Sequence, residues 1–217
     1  PMLQHIDTFF NVAARVDAGE LLTKSQIGRL QKLEVKLNEA MGMILGNQRK
    51  LGDFPLAYMH GDLHTRNIMI RRLEKRRNGQ HLGHDLEFKL IDLESLRADG
   101  DAAHDLGQLL IDLILIPANS KRSINRQIIS KLDLLADEVT AAYLGFAQER
   151  GDDMFDLRLS LAKARSLLRI AKSYGKRANH FVKNREDQHA IDAISDGLSL
   201  AEDAALHLDN VYGALKS

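Results

Sequence analysis

Apolar residues recur at three- and four-residue steps through most of the chain, the spacing of amphipathic helices with one buried stripe. Residues 3–16 predict a first helix, ended near Gly19. Ile27, Leu30, Leu33, Leu37, Met41 and Ile44 predict a second, with Thr23 or Ser25 as its N-terminal cap and Gly46 near its end. Residues 101–116 read as helix again. Ile128, Leu132, Leu135, Val139, Tyr143 and Phe146 then form a stripe that stops before Gly151. Leu157, Leu161, Ala164, Leu168 and Ala171 form another, weakened beyond by Gly175. A looser stripe covers residues 191–215. These stripes are expected to bury against one another.

The period changes in the middle. Residues 56–59 are a short apolar run after Pro55, and residues 67–72 and 86–91 read as strands. The polar stretch 73–85 between them contains Asn78-Gly79, a turn signal, and predicts a hairpin with a long turn. Lys75, Arg76 and Arg77 are expected at its solvated tip, with His81 and His84 exposed in the same turn. No repeat or low-complexity segment interrupts the pattern. The expected fold is mainly α with a small β hairpin region.

Composition narrows the function classes. The 217 residues carry 30 basic and 30 acidic side chains, a balance that favours neither a nucleic acid nor an acidic membrane as partner. With no cysteine, disulfides, thiolate metal sites and a cysteine nucleophile are excluded. No apolar run approaches the roughly 20 residues that span a bilayer, and no signal-peptide pattern opens the chain. A cytoplasmic protein is expected.

Chemistry-bearing residues gather around the β region. His60-Gly61-Asp62-Leu63-His64-Thr65-Arg66-Asn67 leads into one strand, Ile91-Asp92-Leu93-Glu94 ends the next, and Gly100-Asp101-Ala102-Ala103-His104-Asp105 opens a helix. Carboxylates clustered at strand ends are costly unless paired or bound to a cation. A hairpin that brings Asn67 and Asp92 to neighbouring ends would offer oxygen ligands of the kind Mg²⁺ takes alongside phosphate and water.

Residues 60–70 (HGDLHTRNIMI) and 89–107 (KLIDLESLRADGDAAHDLG) together resemble the catalytic segment of the aminoglycoside phosphotransferase and choline kinase family, which has the protein-kinase-like fold. The shared pattern is His-x-Asp, four residues, Asn, an apolar strand, a hairpin, Ile-Asp, and an Asp about a dozen residues later at a helix start. The resemblance implies an ATP-dependent phosphotransferase acting on a hydroxyl of a small molecule such as an aminoglycoside, amino alcohol or sugar. It implies that Asp62 orients the acceptor hydroxyl and accepts its proton, and that Asn67 and Asp92 hold Mg²⁺ on the ATP phosphates. His60 would brace the loop, Asp105 would hydrogen-bond its backbone, and Glu94 would face the acceptor or the metal shell. Arg66 is expected to be exposed, and Asp101 to be an ordinary helix-start residue.

Against that family's two lobes, the whole chain, 1–217, reads as a single helical C-terminal lobe. Its catalytic segment is 56–115 and its acceptor-side helical subdomain 120–217. No Gly-x-Gly-x-x-Gly loop, strand-borne Val-Ala-x-Lys or Walker sequence occurs. An N-terminal nucleotide lobe is therefore expected in the parent protein, and weak Mg-nucleotide binding by this chain alone. Asp133, Asp137, Glu138, Asp152, Asp153 and Asp156 would meet a cationic acceptor or simply solvate their helices. Two other readings stay open. One is a non-catalytic interaction module that keeps the lobe as a scaffold. The other is a metal-dependent phosphohydrolase built on His60, His64, the His104-Asp105 pair and Asp156.

Overall fold

The structure, a computed structural model, describes residues 2–17, 21–52, 56–77, 80–119 and 126–216. In chain order the elements are α1 (Met2–Asp17), α2 (Lys24–Gly46), β1 (Ala57–Met59), β2 (Ile68–Arg77), β3 (Gln80–Leu90), β4 (Arg97–Gly100), α3 (Ala102–Asn119), α4 (Arg126–Glu149), α5 (Phe155–Lys183) and α6 (Asp187–Lys216). The fold is mainly α, with two separate two-stranded antiparallel sheets, β1 with β4 and β2 with β3. No described helix is long and apolar enough to cross a membrane. The chain divides into two compact units, residues 1–54 with 150–217, and residues 55–149. The stretch 56–115 falls in the second, whereas residues 120–217 contribute α4 to the second and α5 and α6 to the first.

The first unit is a helical cluster of α1, α2, α5 and α6. Its core holds Ile6, Phe9, Leu37, Ile44, Leu159, Leu168, Ile194, Leu198, Leu208 and Val211, all essentially without solvent exposure. Thr23 begins α2 with a capping box: its hydroxyl accepts from the Gln26 amide at 3.2 Å, and the Gln26 side chain accepts from the Thr23 amide at 2.9 Å. Gly46 ends that helix, as its place in the pattern suggests. Buried Ala164, Ala171 and Ala178 on α5 and Ala190, Ala193, Ala201, Ala204 and Ala205 on α6 give both helices small-residue faces. Gly197 completes the α6 face: a Cβ there would stand 2.5 Å from Phe9 Cε2.

The helix end expected near Gly19 and the Asn78-Gly79 turn lie outside the described residues, as do the side chains of Lys75, Arg76, Arg77, His81 and His84. Elsewhere the structure departs from the sequence pattern in three places. Helix α5 runs through Gly175 to Lys183 without a break. That glycine is a packing device, since a Cβ would meet the Phe9 ring at 3.3 Å. The stripe on α4 is not core: Ile128 is 50% and Phe146 61% exposed, while Ala136 and Ala147 are buried. Helix α3 is the main element against which α4 packs, and one facing helix covers less than the stripe's width. Finally, 73–85 is not a long turn, because β2 and β3 pair from Ile68↔Leu90 to Arg77↔Gln80. Cross-strand pairing of opposite charges, Arg71 facing Glu87, suits a ribbon solvated on that face.

His5 on α1 is half-buried beside α5, with Lys172 Nζ 3.5 Å from its Nδ1. Burial first, then the charges of Lys172 and Arg165, lower its pKa to about 4. The unfolded chain takes up a proton near the ordinary 6.5 that the folded chain refuses until about 4, so folding stability falls as pH drops through this window. Thermal unfolding followed from pH 7 to pH 4 is expected to show a shallower acid loss in His5→Gln than in the unsubstituted chain. His207, lowered in the same direction by burial and Lys163, leaves a residual slope. Gly197→Ala is expected to lower stability by about 1–3 kcal/mol through overpacking against Phe9. Phe9→Leu added to it is expected to cost less than the two single changes summed, a coupling that denaturant melts of the four proteins measure.

Candidate functional site

Strand β1 ends at Met59, and its pairing with β4 sets the frame of the site, with Ala57 opposite Gly100. Gly100 makes that pairing possible: a Cβ there would lie 2.5 Å from Met59 Cβ. β4 then feeds directly into α3. Asp101 caps this helix, its Oδ1 accepting from the Ala103 amide at 3.0 Å. α3 packs its apolar face, Ala103, Leu106, Leu110, Ile111 and Leu113, into the interior. Its remaining face carries Asp105, Gln108 and Asp112 at i, i+3 and i+7, one stripe of an otherwise apolar helix.

That stripe holds the loop of residues 60–67 at three points. Asp105, in the first turn, accepts the His60 amide at 2.5 Å through one oxygen and the Gly61 amide at 2.9 Å through the other. Gln108 donates Nε2–H to Asp62 Oδ1 at 2.6 Å. Asp112 accepts both the Thr65 amide, at 2.8 Å, and the Thr65 hydroxyl. Gly61 has φ 82°, and a side chain there would press on the Ser95 carbonyl at 2.7 Å, so the turn demands glycine.

The loop is also tied to the hairpin. His60, 4% exposed, donates Nε2–H to the Ile91 carbonyl at 2.8 Å. Its Nδ1 accepts the Asp62 amide at 3.4 Å, so the two bonds together require the neutral ring protonated at Nε2. The Ile91 amide donates to the Asn67 carbonyl at 3.0 Å, which extends the β2–β3 ladder by one rung to the base of the hairpin. Asn67 is buried and donates Nδ2–H to the Asp62 carbonyl at 3.0 Å. Asp92 follows Ile91 in the left-handed region, φ 60° and ψ 58°, a conformation that Asp tolerates better than most residues. Its carboxylate is exposed.

Of the residues picked out from the sequence, His60, Asp62, Asn67 and Asp105 share one hydrogen-bonded network, and Asp92 stands next to it at the hairpin base. Glu94 is exposed on a 3-10 turn, Leu93–Ser95, outside that network. Arg66 is exposed. Among the acids suggested for a cationic acceptor, Asp152 is engaged in a buried pair with Arg158 at 2.5 Å. The others, Asp133, Asp137, Glu138, Asp153 and Asp156, are exposed. His64 lies close to the network, Nε2 3.6 Å from Asp62 Oδ2. The Nδ1 atoms of His64 and His104 are buried without a hydrogen-bond partner among the described residues.

The sequence reading missed Thr65, Gln108 and Asp112. The available signal was the i, i+3, i+7 spacing of three polar residues inside the apolar 102–116 helix. The site's oxygen donors, a carboxylate at Asp92 and the Asn67 amide whose nitrogen is already committed to Asp62, are the hard type that suits Mg²⁺. No protein family, curated protein or solved structure matches this chain. The motif resemblance therefore rests on the residues themselves.

Asp105→Asn would leave one of two buried loop amides facing an N–H₂ group, at a cost of about 1–3 kcal/mol. Amide exchange of His60 and Gly61, followed by NMR, is expected to speed up by roughly one to two orders of magnitude, with core amides of α6 unchanged.

Proposed function

We propose that this chain is the helical lobe of a kinase-like phosphotransferase that passes the γ-phosphoryl group of Mg-ATP to a hydroxyl of a small acceptor. The observation that carries the proposal is the single loop, residues 60–67, that presents Asp62 and Asn67 and is bonded through His60 and Asn67 to the strand end bearing Asp92. An acid able to take a proton thus stands near two oxygen donors suited to a divalent ion.

In this reading the carboxylate of Asp62, 40% exposed, receives the hydrogen bond of an incoming hydroxyl. It takes up the hydroxyl proton as the acceptor oxygen bonds to the γ-phosphorus and the bond from that phosphorus to the departing ADP breaks. Asn67 and Asp92 would hold Mg²⁺, which when bound neutralises charge on the phosphate oxygens. His60 spends both ring nitrogens on backbone groups, which supports a bracing role over that of a phosphohydrolase metal ligand. The same reading expects a β-rich lobe in the parent protein to cover the nucleotide, with this chain alone binding it weakly. The acceptor is one of the small hydroxyl compounds, an aminoglycoside, an amino alcohol or a sugar.

The test, in the parent protein with its nucleotide lobe, is phosphoryl transfer from ATP to kanamycin, choline, glucose and water, together with calorimetric nucleotide binding in the presence and absence of Mg²⁺. Asp62→Asn is expected to lower turnover about 10²–10⁴-fold with nucleotide affinity little changed. Asp92→Asn is expected to remove the Mg²⁺ dependence of nucleotide binding. Turnover by Asp62→Asn equal to that of the unsubstituted protein would overturn the proposal, and no turnover by either would leave the scaffold reading.

A further inference from the structure

We infer that Gln108 is a positioning residue that fixes the direction of the Asp62 carboxylate, an inference that rests on the proposed phosphotransferase reading. Three observations carry it. Gln108 is 4% exposed, and its Nε2 lies 2.6 Å from Asp62 Oδ1. Asp62 is itself 40% exposed, on a loop whose backbone is already held by Asp105 and Asp112. The loop therefore has its backbone restraints without Gln108, and the Gln108 bond restrains a side chain alone.

A carboxylate on a half-exposed aspartate turns about χ1 and χ2, and each alternative rotamer aims its oxygens elsewhere. An acceptor hydroxyl that must meet one oxygen at hydrogen-bonding distance loses reactive geometry with every such turn, and an error near 1 Å costs roughly 10²-fold. Gln108 removes this freedom from one oxygen. It comes from the buried polar face of a packed helix, a rigid origin. Being neutral, its amide directs the carboxylate without competing for it as a salt-bridging Lys or Arg would. The other oxygen, Oδ2, faces His64 across 3.6 Å. Gln108 touches neither acceptor nor phosphate in this arrangement and acts only through Asp62.

The residue is separable from its neighbours on α3. Asp105 and Asp112 bond backbone amides, so their loss moves the whole loop, whereas loss of Gln108 moves one carboxylate. Gln108→Met keeps length and burial but removes the donor. In the parent protein it is expected to lower kcat for transfer from Mg-ATP to water or kanamycin about 10- to 100-fold, with the KM for Mg-ATP within twofold and His60 and Gly61 amide exchange unchanged. Gln108→His returns a ring N–H at similar reach and is expected to recover part of kcat. Independently of turnover, one Gln108 side-chain amide proton is expected well downfield in the ¹H–¹⁵N spectrum and displaced in Asp62→Asn.

Should Gln108→Met retain full kcat while Asp62→Asn abolishes turnover, the positioning role fails and the phosphotransferase reading stands. A Gln108 amide proton indifferent to Asp62→Asn would also overturn the positioning role. Full turnover by Asp62→Asn would instead remove the phosphotransferase reading on which it rests.

Discussion

Two consecutive backbone amides, those of His60 and Gly61, end on the two oxygens of one carboxylate, Asp105, and the geometry of the site descends from that arrangement. A loop that leaves a strand, turns through a left-handed glycine and enters another strand has N–H groups with no ladder partner. Burying them unpaired would cost about 1–3 kcal/mol each. A carboxylate in the first turn of α3 meets that need, and the helix N-terminus favours its negative charge. Once the 60–61 amides are fixed, the next residue, Asp62, projects from a defined point. The loop then reaches Asn67 and the base of the hairpin in a defined register.

Helix α3 is thus two structures on one cylinder. Leu106, Leu110, Ile111 and Leu113 make it part of an apolar interior, while Asp105, Gln108 and Asp112 make it a template for a polar loop. The two acids along the stripe take backbone N–H groups, which no substitution in the loop other than proline removes. The amide between them takes the carboxylate of the loop, Asp62. Backbone position and side-chain direction are set by different residues of the same face, and the rigidity of both comes from packing behind them.

Long periodic stripes declared α1, α2 and α6 in the sequence because those helices bury one face against several partners, and of the two cap candidates, Thr23 and Ser25, Thr23 makes the capping box. The same periodicity overstated α4, whose Ile128 and Phe146 stay exposed, since a stripe records apolar spacing and not the presence of a neighbour. Gly175 looked like a weakness because its meaning is tertiary: the Phe9 ring occupies the space a side chain would need. The strands past Leu73 were hidden by their polarity, because pairing that runs on to Arg77↔Gln80 is visible only once the register is known. Asp62, Asn67 and Asp92 stood out by motif. Thr65 and Gln108 did not, since ordinary polar residues acquire a role only from what lies across from them.

The distribution of burial through the network explains how such a site stays compatible with a stable fold. Groups that hold the loop, His60, Asn67, Asp105 and Gln108, are each under 10% exposed and make short hydrogen bonds to defined partners. The two charged groups assigned to chemistry in the phosphotransferase reading, Asp62 and Asp92, reach solvent, while Asn67, assigned with Asp92 to the metal, is buried. Desolvation falls on polar atoms whose partners are built in, so it is offset on folding. The charges that would meet substrate or metal keep their water until a ligand replaces it. Asp92 adds a local conformational cost, its left-handed backbone, at the one position where the chain must leave the β ladder and turn its carboxylate outward. A polar loop on an apolar helix is therefore stable for the same reason that it is specific: each loop amide held by Asp105 or Asp112 has one acceptor, and changing either member leaves the other unpaired.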